Sequence, residues 1–551
     1  MHKANKAAKP HRPTRFYHNF RLAMLLILLP FAIGIAAIYY ALSGPLSVQL
    51  ASFGSKRLVT DNWQIAYTQL SSTQPEYGPK SAYYRLKLGQ DLNWVAQHFS
   101  VDATKLQKTN PGLITYNTTV AISPVEKPLQ PFGTTSGNVY NLVVRELDGV
   151  LQLSNDFRNP QVRTTIPELA QFLARYDVIT KIADKHYRIN RPISIEKNIR
   201  LDITANTVNK LELSSAPNFA ITCLCAENAE ILIKDTAITS VDPVTNKPDV
   251  DSNDGRSFVR VLKSSRMDII NSDISYLGNG LLGGRQQRPI LRDGGTYGTS
   301  WRISDDTLGQ EIATGWVEGN TFRYNHFGGY TFGASGMMWR NNLFTRNEVY
   351  GLDPHDDSNN ATIEGNRFIK NGKHGFIVSK RCNYNIIRNN ISVDNGLHGF
   401  MLHQDSNYNV IENNVAIGNT DNFVIYASHF NTVRNNKSYK ALSSHVRINA
   451  QAKQNFITDN LFYGGKRGIY LYEGADGALI ERNVLNKISD DILNTEQASR
   501  VLLVNNQVDG LHYKIAKGDR VVFGPNQIQT KPAVDLLPLK QNSQTINTSF
   551  Q

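Results

Sequence analysis

Cysteine is nearly absent from this chain. Cys223, Cys225 and Cys382 are the only three in 551 residues, which excludes a disulfide framework and any four-cysteine metal site. Cys223 and Cys225 stand two apart in an apolar run, so a strand there places both on one face as small core or surface residues. Acidic residues are missing from positions 1–21, where Lys3, Lys6, Lys9, Arg12, Arg15 and Arg21 supply half of the +12 formal charge. The remainder carries only a mild basic bias. That falls short of the dense stripe nucleic-acid binding needs, yet suits a polyanionic ligand. Long apolar runs are missing too, with one exception: residues 22–42 hold no charged side chain. As a helix they extend about 31 Å, enough to cross a bilayer core. The basic residues before them keep the N-terminus in the cytoplasm and send the rest of the chain to the far side. The length predicts a membrane anchor, with cleavage near Ala41-Leu42-Ser43 as the alternative.

After the basic tail (1–21) and the anchor (22–42), residues 43–81 are rich in Ser, Thr, Gln and Pro and read as a linker. Residues 82–128 then alternate, turn helical around Val95-Ala96-Gln97-His98-Phe99 and Leu106, break at Asn110-Pro111-Gly112, and close on Val120-Ala121-Ile122. The pattern predicts a strand, two short helices and a strand. In residues 140–184, Thr165-Ile166-Pro167-Glu168 is a capping box that starts an amphipathic helix through Leu169, Phe172, Leu173 and Tyr176. From about 185 to 525 helical periodicity is gone, and short β-branched runs end in Asn, Asp or Gly. Residues 526–551 form a polar tail.

Self-similarity decides the fold of that long segment. Asn359, Asn383, Asn407, Asn431 and Asn455 recur every 24 residues, and so do Asn342, Asn366, Asn390 and Asn414. A 24-residue unit of short strands cannot bury an apolar face alone. Stacked units make a mainly β domain, a right-handed parallel β-helix in which equal positions form ladders about 4.8 Å apart. Buried asparagines in such ladders satisfy one another from coil to coil, a structural reason for their spacing.

Alternation sorts the strand of each unit. Leu352, Phe376 and Phe400 face inward with Pro354, Val378 and Leu402. The outward ladders are then Asp353/Ile377/Met401, His355/Ser379/His403 and Asp357/Arg381/Asp405. One sheet face therefore gathers His, Asp, Arg and Ser in a groove where a linear polymer can lie. His355 and Arg381 are one coil apart and two residues along, about 8 Å between Cα atoms. Such a pair can remove a proton from carbon beside a carboxylate: a neutral imidazole takes it, and a fixed cation neutralises the charge that builds up. Asp353 and Asp356 flank His355, and either can orient its ring.

Residues 82–128, with Asp91 and the Asn110-Pro111 pair, resemble a lysin-motif domain, a small α/β module that binds glycan such as peptidoglycan. Tyr350-Gly351-Leu352-Asp353-Pro354-His355-Asp356-Asp357-Ser358, followed by Lys373-His374-Gly375-Phe376-Ile377-Val378-Ser379-Lys380-Arg381, resembles the mannuronan C5-epimerases of alginate biosynthesis, especially the periplasmic type. The resemblance covers roughly 185–510. It implies an isomerase that converts mannuronate to guluronate within an anionic polysaccharide, with no cofactor and no metal. His355 then carries the role of catalytic base, and the basic residue after Ser379 neutralises the substrate carboxylate. Both Lys380 and Arg381 fit that description; alternation favours Arg381. Tyr350 becomes the acid on the opposite face, with a bound water as its rival. Lys373, Ser379, Lys380, His403, Asp357 and Asp405 are candidate substrate contacts. No glycine-aspartate calcium repeats of the secreted branch occur. A polysaccharide lyase, which shares the first step, and a non-catalytic polysaccharide guide in an alginate export complex are the competing functions. The family places the chain in the periplasm, held to the inner membrane by residues 22–42 or released by cleavage.

Overall fold

The structure, a computed structural model, describes residues 63–72, 82–86, 90–99, 101–115, 117–132, 139–156, 161–215, 223–280, 297–303, 311–510 and 512–528. The basic tail and the apolar stretch at 22–42 lie outside these residues. Among the described residues no helix is long and apolar enough to cross a membrane.

The repeat folds as a right-handed parallel β-helix. Each coil supplies three short strands, such as Leu352–His355, Thr362–Glu364 and Arg367–Ile369, and the next coil repeats them at Phe376–Ser379, Ile386–Arg388 and Ile391–Val393. Equivalent residues pair in parallel: Leu352 with Phe376 and Phe376 with Phe400, and likewise Ile363 with Ile387 and Ile387 with Ile411. Their side chains fill the interior, where Phe344, Phe368, Phe376 and Phe400 are fully buried. Gly365 sits at a tight corner with φ +68°, and a Cβ there would lie 2.3 Å from Asn341 Oδ1. Lys437–Asn449 and Leu461–Tyr472 stay continuous through a corner that other coils turn, with a register shift between Ala441 and Ser444, which joins two of the three strand stacks into one sheet.

Asparagine ladders lock the corners. Asn390 donates through Nδ2 to the Ile363 carbonyl and to Asn414 Oδ1, and its own Oδ1 accepts from the backbone and side chain of Asn366. This ladder extends from Asn320 through Asn342, Asn436, Asn460, Asn483 and Asn506 to Asn526. The other series read from the sequence is corrected. Asn359, Asn383 and Asn407 form one row, which continues to His429, whereas Asn431 and Asn455 belong to the row of Asn385 and Asn409. The Asn409-to-Asn431 step is 22 residues, so a fixed count of 24 slips from one row to its neighbour.

Parallel pairing starts before residue 185, with Val150–Ser154 on Ile193–Glu196 and Val162–Thr165 on Ile199–Thr204. The helix Ile166–Phe172, opened by the Thr165/Glu168 capping box, buries Ile166 and Leu169 over the end of the core. Cys225, read above as a small core or surface residue, is buried and disulfide-bonded, while Cys382 is free in the core.

Residues 82–122 form a β-α-α-β unit. Ala82–Arg85 and Thr119–Ile122 pair antiparallel around the helices Leu92–His98 and Ala103–Thr109. Asp91 caps the first helix by accepting from the Trp94 N–H at 2.7 Å, and Asn110 ties the second to the closing strand through both backbone groups of Ala121. The unit is clamped to the solenoid. Arg266, fully buried, donates to the carbonyls of Phe99 and Lys127 at 2.8 Å each, and its partner Asp268 accepts from the Leu129 N–H at 2.7 Å. Buried charges of this kind hold only when each is paired and hydrogen-bonded.

Asn390→Ala removes four hydrogen bonds and strands the Asn366 N–H and the Ile363 carbonyl. At 1–3 kcal/mol per unsatisfied buried group, it should cost about 3 kcal/mol. A chemical-unfolding midpoint equal to wild type would contradict the ladder's role.

Candidate active site

The strand Leu352–His355 presents Asp353 and His355 outward and ends there. Asp356 and Asp357 follow with φ of 30° and 58°, a left-handed bend that the next coil repeats at Lys380 and Arg381 with 64° and 58°. The backbone holds this bend from coil to coil: the Asp356 N–H donates to the Ser379 carbonyl at 2.8 Å and the Asp357 N–H to the Lys380 carbonyl at 3.1 Å. Strand alternation therefore stops before Asp357, Arg381 and Asp405, whose outward direction comes from the bend.

The bend folds the Asp356 carboxylate back onto the ring of its neighbour, so Asp356 Oδ2 meets His355 Nδ1. Of the two flanking acids, Asp356 orients the imidazole. Its other oxygen accepts from Arg381 Nη2 at 2.9 Å, and Arg381 also grips Asp357 at 2.8 Å. His355 and Arg381 thus meet through one shared carboxylate. Asp405 forms no ion pair with Arg381. Lys380 is exposed and forms no ion pair among the described residues, yet its charge bears on Asp353, His355 and His403 together.

Burial sets the protonation states. It lowers the His355 pKa from its ordinary value, with Lys380 and Arg302 acting the same way, while Asp356 opposes it. A neutral ring whose Nδ1–H is committed to Asp356 leaves Nε2 as its free acceptor. Asp353 is 2% exposed, and burial pushes its carboxyl up to about 8, with the Ser379 hydroxyl opposing and Asp356 adding to the shift. It is protonated at neutral pH. Tyr350 is likewise raised to about 12, first by burial and then by Asp353, and keeps its proton.

The row Asp353/Ile377/Met401 faces outward by parity but is not exposed. Asp353, Ile377 and Met401 are buried, and Ile377 and Met401 pack with Val424, Tyr350 and Tyr426 as an apolar floor. Ser379 is buried as well. Two rows close over the floor. On one side stand His355, Ser379, His403 and Tyr426, with His403 stacked on Tyr426 at 4.9 Å. On the other stand Tyr350, His374 and His398, with Lys373 exposed at the rim. Sequence reading missed Tyr330, whose ring lies 5.6 Å from His355, and Arg302, over the Tyr330 ring at 5.5 Å. It also missed Asp421 and Arg447, which form an ion pair at 3.2 Å. All four sit in coils that depart from the 24-residue spacing, where ladder positions cannot be counted off. Among the described residues no cluster of His, Cys, Asp or Glu is arranged to hold a metal ion.

The family model for a right handed beta helix region matches residues 252–415 and 356–485. Among solved structures the chain is similar to the periplasmic alginate epimerase AlgG at 15% identity, over 86% of this chain and 100% of that one, with a TM-score of 0.54. A double mutant of AlgG aligns at 16% identity over 72% and 99%, also at 0.54. The A-module of the Azotobacter vinelandii mannuronan C-5 epimerase AlgE6 aligns at 14% identity over 63% and 89%, with a TM-score of 0.41. No curated protein matches the sequence.

Titrating the His355 ring by NMR should give a pKa below 6.5, lower still in Asp356→Asn because that carboxylate is what favours the charged ring. A value above 6.5, or a rise in the variant, would contradict the electrostatics described.

Proposed function

We propose that this protein is a mannuronan C5-epimerase, an isomerase that converts β-D-mannuronate to α-L-guluronate within polymeric alginate. One observation carries the reading: a neutral imidazole backed by Asp356, beside Lys380, which is exposed and forms no ion pair among the described residues. The β-helix shared with a periplasmic alginate epimerase supports it.

Taking the C5 proton builds negative charge on a group whose carboxylate is already negative, so base and cation must act together. His355 Nε2 takes the proton. The imidazolium that forms is stabilised by Asp356, whose second oxygen Arg381 holds. Arg381 already pairs with two carboxylates, whereas Lys380 forms no ion pair among the described residues, which favours Lys380 as the group that meets the sugar carboxylate. Arg381 then positions Asp356. Protonation from the other face inverts C5, and Tyr350, across the cleft with its proton retained, is the donor. Asp353, protonated on the floor, does not repel a polyanion. Ser379, His403 and Lys373 border the sugar, and Asp357 and Asp405 lie on the outer rim.

The same proposal covers the rest of the chain. The capped and tied β-α-α-β unit supports a lysin-motif-like module that contacts glycan such as peptidoglycan. Residues 22–42 act as inner-membrane anchor or cleaved signal and deliver the solenoid to the periplasm, where an export complex can present polymer to the groove.

Incubating the exported portion with polymannuronate and reading the product by proton NMR tests the reaction. Guluronate signals without the absorbance of unsaturated uronate are expected; unsaturated product alone would make it a lyase, and binding with neither a polysaccharide guide. His355→Ala should lower turnover at least about 10²-fold with polymer binding retained. Lys380→Ala should cost about 10²–10³-fold, and Arg381→Ala less. The reverse order would return the carboxylate-neutralising role to Arg381.

A further inference from the structure

Tyr350, His374 and His398 occupy equivalent positions in successive coils. The Gly351 N–H donates to the His374 carbonyl at 3.0 Å, and the Gly375 N–H to the His398 carbonyl at 2.9 Å. Strand spacing in a parallel sheet is close to the thickness of stacked rings, so side chains on one row can stack face to face. They do. Tyr350 and His374 lie 4.8 Å apart with planes inclined 23°, and His374 and His398 lie 4.8 Å apart at 17°.

The far end of this column is anchored. Asp421 pairs with His398 in the strand register and is 1% exposed. Its Oδ2 lies 3.4 Å from His398 Nδ1 and 3.2 Å from Arg447 Nη1, while Arg447 Nη2 lies 3.1 Å from His398 Nε2. The His398 ring is thus held at Nε2 by Arg447, while Nδ1 faces Asp421 without a hydrogen bond. His374 accepts the His398 N–H at Nδ1, at 3.4 Å. Burial draws the pKa values of His374 and His398 down to about 3 and about 2, so both rings stay neutral and do not repel one another.

The near end is different. Among the described residues the Tyr350 hydroxyl has no hydrogen-bond partner, and its ring is held by contacts alone: the His374 face, the Phe327 edge at 5.2 Å and the floor around Ile377. We infer that the stacked column Tyr350–His374–His398, tied at its end to the Asp421–Arg447 pair, aims the Tyr350 hydroxyl into the cleft, and that His374 is a positioning residue acting through its ring face. The inference deepens the epimerase reading and rests on it. His374 acts as an aromatic spacer, and its nitrogens carry no proton in the reaction. Nothing in the epimerase motif requires this, because Asp421 and Arg447 come from the third and fourth coils beyond that of Tyr350.

The test compares His374→Ala and His374→Phe with wild type, following kcat and KM for polymannuronate by NMR in deuterated water. Misplacing a reacting group by about 1 Å can cost about 10²-fold. His374→Ala should therefore lower kcat about 10- to 100-fold with KM within about twofold, and His374→Phe should recover most of that loss. If the alanine variant does not fold, His374→Gln fills the space without an aromatic face and should show the same kcat loss. Unchanged kcat in both non-aromatic variants would overturn the inference, as would a phenylalanine variant no better than alanine, which would make the imidazole nitrogens essential. If wild type places no deuterium at C5, the epimerase reading fails and this inference with it; deuterium in wild type with no effect at His374 sinks the inference alone.

Discussion

The structure depends on one constraint, the register of each coil on the next. Parallel pairing brings equivalent residues into contact along the solenoid axis, and every other feature inherits that spacing. In the interior it stacks phenylalanines, and at the corners it chains asparagine amides. On the groove face it brings Arg381 against the Asp356 and Asp357 of the preceding coil. A repeat built for stability thus doubles as a device for setting charged groups at fixed intervals along one face.

Within that frame burial and pairing compete, and the winner differs from residue to residue. At Asp353 burial dominates, and the carboxyl keeps its proton. At His355 burial also dominates, but the contact with Asp356 turns a neutral ring into a directed one. His398 is likewise held neutral, first by burial and then by the neighbouring His374 and Arg447. The neutral imidazoles of His355, His374 and His398 and the uncharged Asp353 carboxyl, beside the exposed Lys380, are the arrangement on which the proposed proton transfer rests. The same competition explains the clamp on the N-terminal unit, where Arg266 and Asp268 tolerate full burial because backbone groups of the covering segment complete their hydrogen bonds.

Much of this was legible in the sequence because a solenoid writes its contacts as spacings. The 24-residue recurrence of asparagines pointed to stacked coils, and alternation assigned Leu352, Phe376 and Phe400 to the interior, where they lie. The strand-helix-helix-strand order of residues 82–122 was readable from its breaks and caps. Three things were not. Row membership beyond Asn407 was lost because one coil is two residues shorter. Exposure of Asp353 and Met401 was overestimated because parity tells direction and says nothing of the walls that close over a floor. Asp357 stood on the ladder of Arg381 and does pair with it, but the contact of Arg381 with Asp356 depends on two successive left-handed residues, Asp356 and Asp357, which no alternation rule anticipates.

The most direct measurement of the central claim is a crystal structure of the His355→Ala variant with a mannuronate oligomer bound. The account predicts one sugar with its carboxylate on the Lys380 ammonium, its C5 hydrogen pointing into the space left by the imidazole, and the Tyr350 hydroxyl on the opposite face of that ring. An oligomer seated outside the cleft, or one whose reacting carboxylate displaces Asp356 from Arg381 while Lys380 points to solvent, would contradict it.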